Sequence, residues 1–382
     1  MKIGFVSPHT FTYPGGVQKH TLALKMGFER RGHKVKLIFP RENLFQKEGK
    51  DTILLGRAFE ISGNASKSNL SFNLTPFSIF QTLRKEKFDI LHFQNFGLFL
   101  PWQVLETSKT FFKKTTLILT FHAFLDASTF LKQISTFKTI LNKYILPKFD
   151  GIIGVSKPVL SQINYNGPKV IIPNGVDNKL FSPKGEKIEK FISSKKNHQS
   201  FVNILFVGRI EKRKGLIYLV KAFEILRKKY KNLRLIVVGE GDKREQIEDF
   251  VKEHKIPDVF FEGEVKEKEL PKYYRTADIC CFPSIYGEGF GIVLLEAMAS
   301  GKPVVAFANE GYKQVLTGKG AEFLVTPRDF QGLAEKLEIL IKDENKRKEM
   351  GKWGEKEARK YCWEEIVDKT LKFYERVIKY KK

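Results

Sequence analysis

The chain alternates between short apolar runs and longer stretches with helical periodicity. The apolar run at residues 2–7 precedes a helical pattern over 17–31, and residues 33–39 form the next apolar run. The same order returns in the second half, at residues 203–208, 216–230 and 233–239. Further strands are predicted at residues 90–93, 116–121, 151–155, 169–172, 259–261, 279–282 and 303–306. Continuous apolar strands separated by amphipathic helices are typical of parallel sheets that are covered on both faces.

This pattern predicts an α/β protein with two doubly wound parallel-sheet domains, which suits a length of 382 residues. We place an N-terminal domain at residues 1–175 and a C-terminal domain at 201–360. The polar segment within 176–200 is predicted to be a linker. Residues 361–382 carry apolar positions at helical spacing and form a final helix that could pack back on the N-terminal domain.

The chain is strongly basic, with 67 Lys and Arg against 43 Asp and Glu and a formal net charge of +24. Nucleic acid, an anionic membrane surface and phosphorylated small molecules are the partners that such a charge favours. No apolar run reaches the roughly 18 residues that span a bilayer. The start indicates a strand rather than a signal peptide, and three cysteines cannot form a disulfide framework. We therefore expect a cytoplasmic protein.

Loops at strand ends carry the candidate chemistry, because ligands of open parallel sheets bind at the carboxyl ends of strands. Gly15 and Gly16 precede the first helix and could bring free backbone N–H groups to an anion; an ordinary tight turn is the alternative. Arg209 and Lys214 follow the strand at 203–208, where a guanidinium and an ammonium could bind a diphosphate. A basic surface loop is the alternative there.

A third junction contains two carboxylates. Glycines introduce a helix predicted from Gly291 to Gly301, whose N-terminal amides favour a phosphate. Glu288 lies in the loop before this helix, and Glu296 lies within it on an apolar stretch. A buried carboxylate is costly without hydrogen-bond donors, and sugar or ribose hydroxyls are suitable ones. A neighbouring arginine would be the alternative partner of Glu296.

Histidines lie at two further strand ends, His92 near residues 90–91 and His122 after residues 116–121. A histidine at such a position is more often structural than catalytic. His122 could nevertheless donate a hydrogen bond to a phosphate oxygen or a sugar hydroxyl. The remaining histidines are predicted to be structural: His9, His20, His33, His198 and His254.

Together these motifs resemble glycosyltransferase family 4, whose members are retaining enzymes with the GT-B fold, two Rossmann-like domains facing across a cleft. The resemblance covers nearly the whole chain and rests on Gly15-Gly16-Val17, Gly32-His33, Thr120-Phe121-His122, Val155-Ser156, Pro173-Asn174-Gly175-Val176-Asp177, Gly208-Arg209, Lys214-Gly215 and the span from Glu288 to Glu296. Within the family, the bacterial phosphatidylinositol alpha-mannosyltransferases are most similar, through Pro14-Gly15-Gly16-Val17-Gln18, Phe290-Gly291-Ile292-Val293-Leu294 and Asn64-Ala65-Ser66.

The resemblance implies a role for each matching residue. Donor-binding roles fall on Gly16, Arg209, Lys214, Val265, Glu288, Phe290, Gly291, Ile292 and Glu296. Catalytic roles fall on His122, Glu288, Arg209 and Lys214, and acceptor-binding roles on Gln18, Asn64 and Ser66. In this assignment Arg209 and Lys214 hold the diphosphate, Glu296 binds the ribose, and Glu288 binds the transferred sugar.

The implied reaction moves a hexose from a nucleotide-sugar donor to a lipid-linked or glycan acceptor with retention of configuration. Mannose from GDP-mannose is the favoured donor group, and a UDP-sugar is the alternative. We expect no metal and no cofactor, because cationic side chains would stabilise the leaving diphosphate and the chain has no Asp-x-Asp pair. Two neighbourhoods on the acceptor side, Thr12-Tyr13 and Asn69, depart from the mannosyltransferase pattern and leave the acceptor open.

Basic and aromatic residues are interleaved between residues 91 and 149, which suits docking on anionic lipid. The lysines are Lys109, Lys113, Lys114, Lys132, Lys138, Lys143 and Lys148, and the aromatic residues are Phe96, Phe99, Phe111, Phe112, Phe124, Phe130 and Phe137. We therefore expect a peripheral enzyme at the inner face of the plasma membrane. A nucleic-acid-binding protein is disfavoured because no recognition motif is present, and a sugar-nucleotide epimerase would share the fold.

Overall fold

The structure is a computed structural model of the whole chain. It describes residues 1–11, 15–43, 45–63, 66–73, 75–96, 99–124, 139–192 and 201–381. The chain divides into two compact units, of which unit 1 comprises Met1–Asn174 with Trp363–Lys382 and unit 2 comprises Gly175–Cys362. In the described part of the chain, no helix is long and apolar enough to cross a membrane.

Unit 1 is built on an eight-stranded sheet, counted over the described residues, with strand order β4-β3-β2-β1-β5-β6-β7-β8. The strands are β1 Lys2–Val6, β2 Lys34–Arg41, β3 Thr52–Gly63, β4 Ser66–Phe72, β5 Ile90–Gln94, β6 Thr116–Phe121, β7 Gly151–Gly154 and β8 Lys169–Ile171. All neighbours pair in parallel except β3 and β4, which form an antiparallel edge hairpin. The order reverses between β1 and β5, which creates a topological switch point.

The helices of unit 1 cover this sheet. They are α1 Gly16–Arg30, α2 Pro76–Glu86, α3 Leu100–Phe111, α4 Lys157–Ser161 and the C-terminal helix Trp363–Lys381, together with a π-helical turn at Leu141–Ile145 and a 3-10 turn at Leu146–Lys148. The C-terminal helix contributes buried residues, among them Ile366 and Phe373, to the same core as Ile3 and Leu24. The last residues of the chain therefore complete the core of the first unit.

Unit 2 contains a six-stranded parallel sheet, again counted over the described residues, with order β11-β10-β9-β12-β13-β14. Its strands are β9 Val202–Val207, β10 Leu233–Val238, β11 Val259–Gly263, β12 Ile279–Phe282, β13 Val304–Phe307 and β14 Leu324–Val325. Its helices are α5 Leu216–Lys229, α6 Arg244–Glu253, α7 Leu270–Thr276, α8 Ile292–Ala299, α9 Tyr312–Val315, α10 Phe330–Lys342 and α11 Glu344–Ala358. This order is that of a Rossmann sheet, with its switch point between β9 and β12. The predicted pair of doubly wound parallel-sheet domains is confirmed.

The segment predicted as a linker differs from the expectation. Residues 176–192 pack within unit 2, because the apolar side chains of Phe181 and Phe191 are buried there. Phe181 lies edge-on to Tyr274, and the backbone carbonyl of Phe191 accepts a hydrogen bond from Asn203 at 3.3 Å. The rest of the predicted linker, residues 193–200, lies outside the described residues.

Candidate active site

The loop after β9 depends on one glycine. Gly215 ends the 3-10 turn Lys212–Lys214 at φ +70°, a left-handed conformation that favours glycine, and begins helix α5. A side chain at Gly215 would overlap the carbonyl oxygen of Pro283, just beyond β12. The loop therefore lies against the end of β12 at the switch point of the sheet, where open parallel sheets bind their ligands.

Five charged side chains of alternating sign lie together here, four from this loop and Glu288 from the loop before helix α8. The Glu211 carboxylate is only 6% exposed and lies 2.6 Å from Nη1 of Arg209 and 3.1 Å from Nε of Arg213. Nη1 of Arg213 also donates to Oε1 of Glu288 at 2.9 Å. Nζ of Lys214 donates to the same Glu288 oxygen at 2.7 Å. The structure thus brings together three of the predicted residues, Arg209, Lys214 and Glu288.

Arg213 is a residue of this site that the sequence did not single out. Its guanidinium links the carboxylates of Glu211 and Glu288, which are 77 positions apart along the chain. The only signal in the sequence was its place in the run Glu211-Lys212-Arg213-Lys214. Such a run does not show which of its cations points toward a site, since Lys212 in the same run is exposed.

Glu288 is held as a carboxylate. Burial alone would raise its pKa, but the charges of Lys214 and Arg213 outweigh burial and hold the pKa of Glu288 below its usual value. The Ser284 hydroxyl adds a hydrogen bond of 3.0 Å to Oε1. An ionised carboxylate that already orients two cations can also accept hydrogen bonds from the hydroxyl groups of a ligand.

The N-terminus of helix α8 adjoins Glu288 in the sequence. Gly291 precedes the helix at φ +118° and, as a glycine, provides no side chain to cap the N–H groups of the first turn. Phe290 is buried, and Ile292, the first helical residue, is half-buried. The side-chain amide of Asn309 donates a hydrogen bond of 2.8 Å to the Ser284 carbonyl, in the loop between β12 and α8. The predicted residues 290–292 thus present backbone amides with the polarity that an anion favours.

Glu296 lies one turn further into α8 and is 4% exposed. The hydroxyl of Tyr274 donates to its Oε2 at 2.8 Å. Burial, and after it the Glu296 charge, raise the pKa of Tyr274 well above its usual value, so Tyr274 stays a donor. Tyr274 is therefore one hydrogen-bond partner of this buried carboxylate.

Val265 lies two residues beyond β11 and is half-buried. The carbonyl of Gly263, at the end of that strand, accepts a hydrogen bond from the Gly239 amide at 2.8 Å. Val265 therefore follows a carboxyl strand end of the same sheet, two strands away from β9.

Unit 1 places Gly16 and Gln18 after β1 and His122 after β6, whereas Ser66 lies in the edge hairpin. Gly16 is the first residue of α1 and is exposed, and Nε2 of Gln18 donates to the Thr10 carbonyl at 3.1 Å. Ser66 begins β4, with its backbone paired to Gly63. Asn64 lies outside the described residues.

His122 follows β6 and is half-buried. Its ring lies edge-on to His20, with the ring centroids 4.6 Å apart, and its Nε2 is 2.8 Å from Oε1 of Gln94. Burial, and after it the proximity of His20 and His92, lower the pKa of His122 well below its usual value. Burial also lowers the pKa of His20 to about 4. His20, predicted to be structural, is therefore a neutral neighbour of the candidate catalytic histidine.

Comparisons with known proteins identify the family of the chain. The family model for Glycosyltransferase Family 4 matches residues 14–180, and that for glycosyl transferases group 1 matches residues 186–357. The phosphatidyl-myo-inositol mannosyltransferase of Mycobacterium leprae is 30% identical over 386 residues, covering 99% of this chain and 97% of the relative. The D-inositol 3-phosphate glycosyltransferase of Paenarthrobacter aurescens is 32% identical over 213 residues, covering 54% of this chain and 52% of the relative.

Solved structures show the same fold. A glycosyltransferase from Rickettsia africae superposes with a TM-score of 0.78 at 20% identity, covering 99% of this chain and 98% of that one. Sucrose-phosphate synthase from Thermosynechococcus elongatus superposes with a TM-score of 0.76 at 22% identity over 99% of each chain. The two Rossmann-like units therefore define a glycosyltransferase of the GT-B fold. With a relative 30% identical over the full length, the chain belongs to glycosyltransferase family 4. The resemblance read from the motifs is confirmed.

Proposed function

We propose that this enzyme is a retaining hexosyltransferase that uses a nucleotide-sugar donor, with GDP-mannose favoured over a UDP-sugar. The observation that carries the proposal is the junction of Lys214, Arg213 and Glu288 at the switch point of unit 2. A cationic loop beside an ionised carboxylate offers charge to a diphosphate and an acceptor to sugar hydroxyls. Mannose is favoured because full-length relatives are named phosphatidyl-myo-inositol mannosyltransferases.

In the proposed reaction the bond between the anomeric carbon and the donor phosphate breaks, and the acceptor oxygen bonds to the same face of the sugar. Because the new bond forms on the face that the phosphate leaves, the configuration is retained. The acceptor proton passes to the leaving phosphate oxygen, which balances the charge. Arg209, Lys214 and the amides at the start of α8 stabilise the departing diphosphate. These groups supply the charge that a divalent cation would bring, and we propose that no metal or cofactor is needed.

Nucleotide binding can be tested by thermal shift with GDP, UDP and ADP. We expect GDP to stabilise most, because GDP-mannose is the proposed donor. A ligand at about 100 times its Kd adds about 2.7 kcal/mol of stability. Glu296→Ala should weaken that shift strongly, since the ribose hydroxyls would lose their acceptor. Glu310→Ala, which removes an exposed carboxylate of the same unit, is the matched control. An unchanged shift in Glu296→Ala would contradict the ribose role, and no shift with any nucleotide would contradict the donor site.

The acceptor is proposed to be a lipid-linked molecule or a glycan, reached by an enzyme that docks on anionic membrane at the inner face of the plasma membrane. The support is a phenylalanine patch on α2 and α3, made of Phe77, Phe80, Phe111 and Phe112. Phe77 and Phe111 are 66% and 62% exposed, and the Phe80 ring contacts both. Exposed cations lie on the same two helices or directly after them: Arg84, Lys85, Lys113 and Lys114. Exposed aromatic rings that share their helices with exposed cations suit an anionic lipid surface.

Part of the basic and aromatic stretch predicted for docking, namely Lys132, Lys138, Phe130 and Phe137, lies outside the described residues. The phenylalanine patch is sufficient for a test of membrane docking by vesicle co-sedimentation. We expect Phe77→Ser/Phe111→Ser to weaken binding to phosphatidylglycerol-containing vesicles by at least about tenfold, since each buried phenylalanine contributes roughly 1.5–3 kcal/mol. Binding of the parent should also fall as salt rises.

The control is Phe45→Ser, because Phe45 is 91% exposed but lies outside the phenylalanine patch. A parent protein that ignores anionic vesicles at low salt would refute the docking surface. Equal loss in the control and the patch variant would do the same.

A further inference from the structure

His92 is a buried polar residue that the proposed reaction does not use. It lies on β5, is fully buried, and has both ring nitrogens paired. Nδ1 is 2.6 Å from the hydroxyl of Tyr374 in the C-terminal helix, and Nε2 is 2.6 Å from the hydroxyl of Thr120 on β6. A buried imidazole with two hydrogen bonds is fixed in orientation and can orient a neighbour in turn.

That neighbour is Gln94, which is also fully buried. It lies two residues further along β5 and so projects from the same face of the strand as His92. Its Nε2 lies 3.3 Å from Nδ1 and 3.4 Å from Nε2 of His92, while its Oε1 lies 2.8 Å from Nε2 of His122. The near-equal distances to both ring nitrogens place the amide N–H groups over the face of the His92 ring, whose in-plane positions the two hydroxyls already occupy, and leave Oε1 as the acceptor toward His122.

We propose that Tyr374, His92 and Gln94 are positioning residues that fix His122 as the tautomer protonated on Nε2. A carboxamide oxygen only accepts hydrogen bonds, so the 2.8 Å contact with Gln94 favours the proton on Nε2, and the Asn174 side chain is the competing partner of the ring. A neutral imidazole has one proton, which leaves a lone pair on Nδ1. This inference rests on the proposed function and on the catalytic role that the family resemblance gives to His122, in which its ring meets a hydroxyl of the ligand.

The hydroxyl of the ligand then donates to Nδ1 of His122, and the ring accepts. This direction is the reverse of the one expected from the sequence, in which His122 would donate. It follows that His122 selects a ligand group carrying a proton, such as a hydroxyl, over an ionised phosphate oxygen, which could only accept. The C-terminal helix, more than 250 positions away along the chain, thereby takes part in setting the recognition chemistry of this residue.

The tautomer can be measured directly by long-range ¹⁵N–¹H correlation spectra of the full chain labelled on histidine, with the His122 signals assigned from His122→Gln. We expect His122 of the parent to carry its proton on Nε2. In Gln94→Met, which removes the acceptor with little change in volume, both tautomers should appear. Turnover should fall by on the order of 10- to 100-fold. The nucleotide thermal shift should stay unchanged, because the diphosphate-binding side chains belong to unit 2.

Tyr374→Phe should shift the tautomer balance in the same direction by a smaller amount. Thr370→Val is its matched control, because Thr370 is a buried hydroxyl of the same helix that bonds only to the Ile366 carbonyl at 2.7 Å among the hydrogen bonds described. A parent His122 protonated on Nδ1, or an unchanged tautomer in Gln94→Met, would overturn the inference. A parent with no transferase activity would refute the proposed function alone, since the spectra decide the tautomer independently of turnover.

Discussion

Replacing Lys214 by alanine is expected to lower the rate of sugar transfer by about 100- to 1,000-fold, the usual cost of losing one group that stabilises charge developing in a transition state. Lys214 has two roles in the proposed reaction. It is one of the cations facing the leaving diphosphate, and its Nζ orients Glu288 from 2.7 Å. Fixed-time assays of nucleoside diphosphate release, with acceptor present, measure the loss.

Lys212→Ala provides the matched control. It removes the same charge from the same loop, but Lys212 is exposed and is two positions away from Lys214. We expect near-parental turnover from it. The fold should survive Lys214→Ala because Arg213 and Ser284 still bond to Glu288, and an unchanged melting temperature would verify this. If Arg209→Ala/Lys214→Ala handles sugar nucleotides as well as the parent does, the diphosphate site is wrong.

Acidification from pH 6.5 to 5 is expected to destabilise unit 1 and to leave unit 2 little changed. Burial lowers the pKa of His20 from 6.5 to about 4, and burial likewise lowers the pKa values of His92 and His122. Because the folded pKa lies below the unfolded one, the unfolded chain binds the proton first as pH falls. Stability is therefore fully present above pH 6.5 and is lost as pH falls toward the folded pKa. His20 alone contributes about 3 kcal/mol between pH 6.5 and its folded pKa of about 4, and roughly 2 kcal/mol of this is lost by pH 5.

The window from pH 6.5 to 5 suits the histidines, because carboxyl groups ordinarily titrate below about pH 4.5. Burial raises the pKa of Asp278 in unit 2, and its protonation would favour the folded state rather than mimic a loss of stability. Hydrogen exchange of strand amides, corrected for intrinsic rates, would compare β1, β5 and β6 with β9, β10 and β12 at each pH. Unit 2 is the internal control, since its described residues include only one histidine, His254, with a side chain 42% exposed. His20→Gln should reduce the pH dependence of unit 1. Equal destabilisation of both units would contradict the assignment.

Much of the fold could be predicted because its parallel strands are continuous apolar runs. The strand at residues 116–121 and the helix at 17–31 differ from the structure by at most one residue at an end. The hairpin β3–β4 was missed, since its strands include Arg57, Glu60 and Ser62 and one of them is an edge strand without a continuous apolar run. Apolar runs in a sequence mark strands that are buried in a sheet. An edge hairpin lacks such runs, so its strands are not detected in this way.

The candidate site was only partly predictable. Glycines marked the loops that hold Lys214 and Glu288, because close backbone approach and left-handed turns require that residue. The partners of those side chains were not visible, since Arg213 reaches Glu288 and Tyr274 reaches Glu296 only after the sheet has formed. Likewise nothing local indicated that His20 would lie against His122, which is 102 positions away.

The C-terminal helix also has a consequence for synthesis. The ribosome completes residues 1–174 long before it makes residues 363–381, and at about 5–20 residues per second the intervening segment takes roughly 10–40 s. Throughout that interval the nascent first unit lacks Ile366, Phe373 and Tyr374, so apolar surface around Ile3 and Leu24 stays uncovered. Chaperone binding to the emerging polypeptide should therefore persist until residues 363–381 have emerged.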